Sequence, residues 1–315
     1  MANFAYLQII RQCNQQCIIC SNPDNGLVLS LPEIRTKIDD FKKRGFEGII
    51  LTGGEPTLHP ELKEIMTYSS QSGLFVNMIS NGQKIADYEY LEMLKKAGLR
   101  QLHLSIYSHK KEVQGKISKN KESLPNIKKA LVNLQRLGNV KVNMNVVIGK
   151  WNADNLSELI KMLVTNYPFV DHFVFNNLDP TSERIRSHSE VIPRMNDFQL
   201  ELFKALEIIQ KNHKTARVER VPLCYMTGYE HLSTETRKIV KKEKRVTYFL
   251  DDKGEFLQES GHIDGFYKKK KDCVTCSLNN ICIGLYNEGN YYKMDEAYPV
   301  FVDKKKIINK ILKNV

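Results

Sequence analysis

Short apolar runs alternate with longer amphipathic segments along the first two thirds of the chain. The short runs predict buried strands, and the segments with apolar residues three or four positions apart predict helices. Gly45, Gly73, Gly98 and Gly138 stand where predicted helices end, as is typical of helix C-termini. The predicted strands cover residues 5–10, 48–52, 75–80, 101–105, 141–148 and 172–176. The predicted helices cover residues 31–44, 60–71, 85–97, 121–137, 155–167 and 198–212.

This repeated strand–helix unit predicts the α/β class. Neighbouring parallel strands need long crossover connections, and a helix between each pair of strands supplies them. The pattern alone fits an open sheet and a barrel equally well. In both, ligands bind at the carboxyl ends of the strands, so residues that follow strand ends are expected to meet on one face.

The alternation stops beyond the last predicted helix. Residues 245–250 and 255–257 predict a hairpin across residues 251–254. The end of the chain is rich in cysteine and lysine, so we expect a small part organised by metal more than by an apolar core. We therefore predict two domains, residues 1–215 and residues 216–315.

The seven cysteines divide into two groups. Cys13, Cys17 and Cys20 lie on one short loop after the first predicted strand, close enough to bind a single metal centre. A 4Fe–4S cluster normally takes four cysteines, so three leave one iron open to another ligand. Zinc is the alternative, but it needs a fourth ligand, and the first histidine is His59. The remaining cysteines are Cys224, Cys273, Cys276 and Cys282.

Glycine and polar residues follow three of the other predicted strands. Each of them taken alone is equally typical of an ordinary turn. His103 and His172 lie within predicted strands, where we expect core histidines whose hydrogen bonds are satisfied. The candidate site residues at the strand ends are Gly53, Gly54, Glu55, Ser80, Asn81 and Ser105, with Tyr107 close behind.

The three-cysteine motif followed by the Gly-Gly-Glu turn resembles the radical S-adenosylmethionine (SAM) enzymes over residues 5–212. The resemblance implies a partial (β/α)6 TIM-like barrel. It implies that three thiolates hold a 4Fe–4S cluster whose open iron binds SAM, and that reductive cleavage of SAM gives a 5′-deoxyadenosyl radical. Gly53 and Gly54 would approach the methionine part of SAM, Glu55 its ammonium, and Ser80, Asn81 and Ser105 its ribose or carboxylate. Ile19 departs from the family, which usually has an aromatic residue there.

The late cysteines resemble the core of the SPASM and twitch domains that carry auxiliary clusters. The full SPASM pattern has a further cysteine where this chain has Tyr286. With four cysteines, the resemblance implies one second 4Fe–4S cluster, with Cys224 as the distant fourth ligand. Such a closed cluster would transfer electrons or brace the structure. Zinc on the same four cysteines is the alternative.

The charge of the chain and its apolar runs indicate which partners and which compartment to expect. The net charge is +11, and the lysines cluster without any nucleic-acid-binding motif, so we do not expect nucleic acid as a partner. Residues 1–11 are too short and too lightly flanked for a signal peptide, and the sequence has no apolar run of membrane-spanning length. We therefore expect a cytoplasmic protein in which disulfides do not form. Flavodoxin or ferredoxin is the expected electron donor.

We therefore predict an oxidoreductase of the radical SAM type that modifies a peptide or protein. An enzyme acting on a small metabolite or nucleotide derivative is the nearest alternative. A zinc-organised nucleic-acid-binding protein is the alternative from another class, and a simple iron–sulfur electron carrier would not need so large a scaffold.

Overall fold

A computed structural model describes residues 4–180, 182–243, 245–251, 254–260, 267–286 and 292–313. Its main sheet has nine strands in the order β7-β6-β5-β4-β3-β2-β1-β8-β9. Neighbouring strands from β7 to β8 run parallel, and β9 is antiparallel to β8. The strands are β1 Phe4–Ile10, β2 Gly48–Gly53, β3 Phe75–Ser80, β4 Leu99–Ser105, β5 Lys141–Ile148, β6 His172–Asn177, β7 Thr215–Glu219, β8 Arg245–Asp251, β9 Gly254–Ser260, β10 Tyr267–Lys268 and β11 Leu285–Tyr286.

Helices connect the successive strands from β1 to β8, and α10 follows the last strand. They are α1 Leu31–Lys43, α2 Leu62–Gln71, α3 Tyr88–Lys96, α4 Lys111–Ser118, α5 Ser123–Leu137, α6 Leu156–Asn166, α7 Glu183–Arg186, α8 Met195–Lys211, α9 Thr234–Lys241 and α10 Lys304–Lys313. None of the described helices is long and apolar enough to cross a membrane. The α/β class and the curled parallel sheet of the predicted partial barrel are confirmed.

Two helical details differ from the prediction. The segment predicted as one helix over residues 85–97 begins as a 3₁₀ turn, Lys84–Ala86, and α3 starts only at Tyr88. Asp87 causes this break, because its side chain accepts hydrogen bonds from the backbone N–H groups of Glu89 and Tyr90 and so caps α3. The short helices α4, α7, α9 and α10 were not predicted from the sequence.

The sheet continues beyond the last strand of the predicted repeat. β7 pairs with β6, and β8 pairs with β1 at the opposite edge, although some 240 residues separate β8 from β1. β8 and β9 form the predicted hairpin, whose residues 252 and 253 lie outside the described residues. The main sheet therefore extends into the segment assigned to a second domain, and the division at residues 215 and 216 stays a prediction.

The two faces of the sheet differ in chemistry. Fully buried apolar side chains such as Leu51, Val76 and Leu102 pack beneath the helices. The inner face instead lines a cavity of about 750 Å³ with residues from β1 to β7, among them Asn77 and His103. We call this cavity the lumen. It is a chamber of ligand-binding size inside the curl of the sheet.

Candidate active site

The loop after β1 carries the first cysteine group. Cys17 is buried, and Cys13 and Cys20 are partly exposed. Two backbone hydrogen bonds shape the loop: the N–H of Ile18 donates to the carbonyl of Ile117 at 2.9 Å, and that of Cys20 donates to the carbonyl of Cys17 at 3.1 Å. The three predicted thiols therefore lie on one anchored turn at the carboxyl end of the sheet.

Strand β8 braces this loop from the side. Arg11 donates from its guanidinium to the carbonyl oxygens of Leu250 and Pro23, and the Gln8 side chain accepts from the Leu250 N–H at 2.9 Å. The Gln8 amide also donates to Asn22 at 3.0 Å, just beyond the cysteines. These braces were not predicted, because no local pattern reveals that a strand from the last third of the chain packs beside β1.

The thiols lie within electrostatic reach of one another. Burial, with a smaller contribution from the nearby Cys20, raises the pKa of Cys13 to about 11 and that of Cys17 to about 12. Burial also raises the pKa of Cys20. The metal-free loop therefore holds thiols, which a bound metal centre would convert to thiolates. Among the described residues, no three His, Cys, Asp or Glu side chains converge closely enough to hold a single metal ion.

Gly53 and Gly54 pack directly against the backbone that leads into the cysteine loop. The Gly54 N–H donates to the carbonyl of Ile10 at 2.7 Å, and Gly53 has a φ of +139°, which favours glycine. A Cβ at Gly54 would lie 2.3 Å from the carbonyl oxygen of Arg11 and 2.4 Å from that of Gln12. The glycines thus permit a close approach between two strand ends. Their predicted contact with SAM stays a prediction.

Gly54→Ala is expected to lose most of the iron of the first cysteine group. The added methyl group would collide with backbone oxygen atoms, so the cysteine loop would have to move. Iron content and SAM binding of the purified variant measure the effect. Gly149→Ala is the matched control, since its Cβ would meet nothing closer than 3.4 Å. A Gly54→Ala protein with wild-type iron content would contradict this account.

Glu55 is fully buried and holds the ends of β2 and β3 together. Its Oε1 accepts from the Thr57 N–H at 3.2 Å, from the Thr57 hydroxyl at 2.6 Å and from the Ser80 hydroxyl at 2.8 Å. Its Oε2 accepts from the Asn81 N–H at 2.7 Å. Burial raises the pKa of Glu55, and these four bonds oppose that rise. The carboxylate therefore points into the structure, and its predicted contact with the SAM ammonium stays a prediction.

Glu55→Ala is expected to lower the free energy of unfolding by about 3 kcal/mol, because four buried donors lose their acceptor. The apparent melting temperature of the reconstituted protein measures this change. Glu64→Ala, at an exposed position of α2, is the control and should melt like the wild type. Equal melting temperatures for the Glu55 and Glu64 variants would show that the network contributes little.

Asn81 and Tyr107 touch the thiols themselves. The Asn81 amide nitrogen lies 3.7 Å from Cys13 Sγ and 2.7 Å from Asn14 Oδ1, to which it donates. The Tyr107 hydroxyl donates to Cys17 Sγ at 3.8 Å. Ser80 holds the Asn81 segment in place through Glu55. Hydrogen bonds to cluster sulfur tune its reduction potential, so both donors suit an iron–sulfur site.

Ser105 and Ile19 lie farther from the thiols. Ser105 ends β4, level with Asn145 of β5, and its predicted role towards SAM stays a prediction. Ile19 is buried and lines the lumen. It is thus the residue of the cysteine loop that faces the inside of the curled sheet.

The two strand histidines are not ordinary core residues. Both line the lumen, and burial lowers the pKa of each to about 4, so they are neutral near pH 7. His172 bonds Thr215 through Nδ1 at 2.7 Å, but its Nε2 is buried without a partner. The expectation of a satisfied core histidine is therefore wrong for His172. Alternation along a strand predicts which side chains share a face, but it does not show whether that face lines a packed core or a chamber.

The four late cysteines come together from three separate segments. Cys224 lies in a 3₁₀ turn after β7. Cys273 lies within a second 3₁₀ turn, Lys271–Thr275, Cys276 caps the end of that turn, and Cys282 follows. All four line one small cavity beside Tyr298. Burial raises the pKa of Cys224 to about 12, with further contributions from Cys282 and Cys273. The four cysteines thus line the same cavity, and their predicted role as one set of metal ligands stays a prediction.

The family model of the radical SAM superfamily matches residues 7–163, which include the three-cysteine loop, the Gly-Gly-Glu turn and Asn81. The chain belongs to the radical SAM superfamily. The predicted enzyme class is therefore confirmed at this level, whereas the SPASM or twitch character of the later part stays a prediction.

Two curated relatives show how far the sequence similarity extends. GTP 3′,8-cyclase of Aquifex aeolicus is 28% identical over 163 residues, covering 49% of this chain and 51% of the relative. Fe-coproporphyrin III synthase of Methanosarcina barkeri is 29% identical over 157 residues, covering 49% of this chain and 39% of the relative. The chain thus matches about half the length of these relatives or less.

Solved structures resemble a larger part of the chain. Streptococcus suis SuiB bound to S-adenosylmethionine matches 95% of this chain and 76% of its own, with a TM-score of 0.66 and 15% identity. Native anSMEcpe with bound AdoMet matches 98% of this chain and 96% of its own, with a TM-score of 0.64 and 14% identity. At such low identity, these likenesses show a shared fold.

The superfamily implies a 4Fe–4S cluster and SAM, and the first cysteine group fits the cluster. Three thiols on one turn form an incomplete ligand set for a cluster, and polar donors from Asn81 and Tyr107 face the sulfur atoms. When bound, the cluster and SAM supply a reducing electron and a 5′-deoxyadenosyl radical. Cys13, Cys17 and Cys20 would hold the cluster, while Glu55 keeps the strand ends in register around it.

Proposed function

We propose that this protein is a radical SAM oxidoreductase that oxidises a peptide or protein substrate and uses a second 4Fe–4S cluster as electron acceptor. The convergence of Cys224, Cys273, Cys276 and Cys282 on one cavity carries the proposal. Four thiols complete the ligand set of a cluster, so no iron is left open for substrate. Such a closed group suits electron transfer.

The late cysteines would hold the group that accepts an electron from the substrate. One-electron reduction of bound SAM would release methionine and supply the radical that takes a hydrogen atom from a substrate carbon, giving 5′-deoxyadenosine. The substrate would then give up one further electron to that acceptor and one proton to solvent. The substrate is thus oxidised by two electrons, and an external reductant supplies the first electron.

The extent of the structural likeness supports a peptide substrate. SuiB bound to precursor peptide SuiA matches 91% of this chain and 72% of its own, with a TM-score of 0.66, so the likeness extends into the late cysteine segment. In this chain, that segment adjoins the main sheet: Tyr292 donates to Asn177 at the end of β6, and Tyr286 donates to Asp179. Two residues of this late segment therefore contact Asn177 and Asp179, which line the lumen.

A small-molecule substrate is the second candidate, and the curated relatives favour it. Their names describe a GTP 3′,8-cyclase and an Fe-coproporphyrin III synthase, both of which act on small molecules. The lumen, at about 750 Å³, also has the volume of a small-molecule site. The zinc-organised nucleic-acid-binding alternative has no comparable support.

The reductant is proposed to be a flavodoxin or ferredoxin, and the reaction to take place in the cytoplasm. Both donors are acidic, and Lys269, Lys270 and Lys271 precede Cys273 on the side of the late cysteines. A reducing compartment keeps all seven cysteines as thiols or metal ligands.

The test begins with anaerobically reconstituted protein, SAM and dithionite, followed by measurement of 5′-deoxyadenosine. Candidate peptides and small acids are then added, and their masses are followed for loss of two hydrogens. The proposal is supported if a deuterium-labelled peptide loses two hydrogens and its deuterium appears in 5′-deoxyadenosine. Transfer of deuterium from small molecules alone would favour the second candidate, and an absence of SAM cleavage would contradict both.

A further inference from the structure

A group of buried and partly buried polar side chains lines one side of the lumen. Arg217 comes from β7, His172 from β6, and Thr234 and Arg237 from α9. Helix α9 reaches this position because Ser233, directly before it, bridges to Val218 of β7. The edge strand of the main sheet and the following helix thus bring two arginines into the same chamber.

Each of these four residues has a buried polar atom that no protein group satisfies. The atoms are Nε of Arg217, Nε of Arg237, Oγ1 of Thr234 and Nε2 of His172. Arg237 is only 6% exposed, so bulk water does not supply the missing hydrogen bond. An unpaired buried polar group costs about 1–3 kcal/mol, and a cluster of them is typical of a site that a ligand completes.

The charges around this cluster leave it positive. Arg237 donates to Glu243 at 2.5 Å through Nη2. Burial lowers the pKa of Arg217, and the charge of Arg237 lowers it further, so the two guanidinium groups are close enough to repel each other. Glu243 is the acidic group that opposes both of them. Burial and then the charge of Arg217 also lower the pKa of His172.

The other charged residues of the lumen do not cancel this excess. Five cationic and three acidic side chains line the cavity. Asp179 lies 3.9 Å from Arg220, and that residue also interacts with Glu219 and Glu235, so these acids balance Arg220. Lys141 and Lys238 add further positive charge to the lining. The side formed by β7 and α9 therefore attracts an anion.

We propose that this side of the lumen binds a carboxylate or phosphate group of the substrate through Arg217 and Arg237. The inference rests on the proposed function, since it assigns a chemical class to the substrate of the same site. Guanidinium groups pair with both anions in planar, two-bonded geometry, and Thr234 adds a hydroxyl donor. An acidic group held here would fix which substrate carbon points towards the cysteine loop.

The test is a calorimetric titration of the anaerobically reconstituted protein with inorganic phosphate and, separately, with succinate. The wild type is expected to bind at least one of them saturably. The preferred ion shows whether the substrate group bound here is a phosphate or a carboxylate. Arg217→Gln and Arg237→Gln should each weaken binding by roughly tenfold or more, since a charged hydrogen-bonding partner is lost. Arg217→Lys keeps the charge and should retain part of the affinity. Arg100→Gln, at an exposed position of β4, should bind like the wild type.

A second readout covers variants that are less stable. A bound anion raises the melting temperature of the wild type, and this rise should disappear in Arg217→Gln. Absence of saturable binding of both ions by the wild type, or undiminished binding by Arg217→Gln, would overturn the inference. The titration uses no reductant, so it is independent of SAM cleavage. If the protein binds the anions but does not cleave SAM, the proposed function is wrong and the anion site still stands.

Discussion

A Cys17→Ala variant is expected to release no 5′-deoxyadenosine from SAM. Cys17 is the buried middle thiol of the loop, and the Tyr107 hydroxyl donates to it. Removal of one of three ligands leaves two thiols, which do not hold a cubic cluster in place. The measurement is 5′-deoxyadenosine formed with dithionite, together with iron content, which should fall by about four atoms per chain.

Gln16→Ala is the matched control for this variant. Gln16 lies on the same loop, next to Cys17, and its side chain is exposed. It should keep wild-type iron content and SAM cleavage, which would show that the loop tolerates substitution where no thiol is lost. Cleavage of SAM by Cys17→Ala at the wild-type rate would rule out the three-thiol cluster.

A Cys276→Ala variant is expected to lose product formation while some SAM cleavage remains. Cys276 lines the cavity of the late cysteines, and its sulfur interacts with the backbone of Val300. Its loss removes one of the four late thiols but leaves the cysteine loop after β1 intact. Before a substrate is known, iron content and the electron paramagnetic resonance spectrum of the reduced protein report the loss of the second cluster.

Val274→Ala is the control for the late group. Val274 lies between Cys273 and Cys276 and is 74% exposed, so its truncation should change neither iron content nor spectrum. If Cys276→Ala formed product at the full rate, the late cysteines would be structural. If it lost zinc and no iron, they would form a zinc site.

The sequence predicts the repeating part of the fold well because each unit carries its own signal. Apolar runs, helical periodicity and terminal glycines are local features, and they locate β1 to β6 with small errors at their ends. The pairing of β8 with β1 is different. A hairpin can be recognised from its turn and alternation, but which distant strand it joins depends on long-range packing.

The candidate site was likewise predicted only where its signals are local in the sequence. The cysteine spacing and the Gly53-Gly54-Glu55 turn are predicted because their residue types are unusual and close together in sequence. The bracing by Arg11 and the arginines of the lumen are not, because single charged residues in strands and helices look like surface positions. Their meaning depends on the register of β7 and on the placement of α9, which brings Arg237 beside Arg217.

The metal content of the two cysteine groups tests most directly whether the protein holds two iron–sulfur clusters. Iron, sulfide and zinc should be counted on wild-type protein that is purified and reconstituted without oxygen. We predict about eight irons per chain with matching sulfide and no zinc, as expected for two 4Fe–4S clusters. About four irons with one zinc would keep the SAM chemistry but make the late cysteines structural. Zinc without iron would contradict the account.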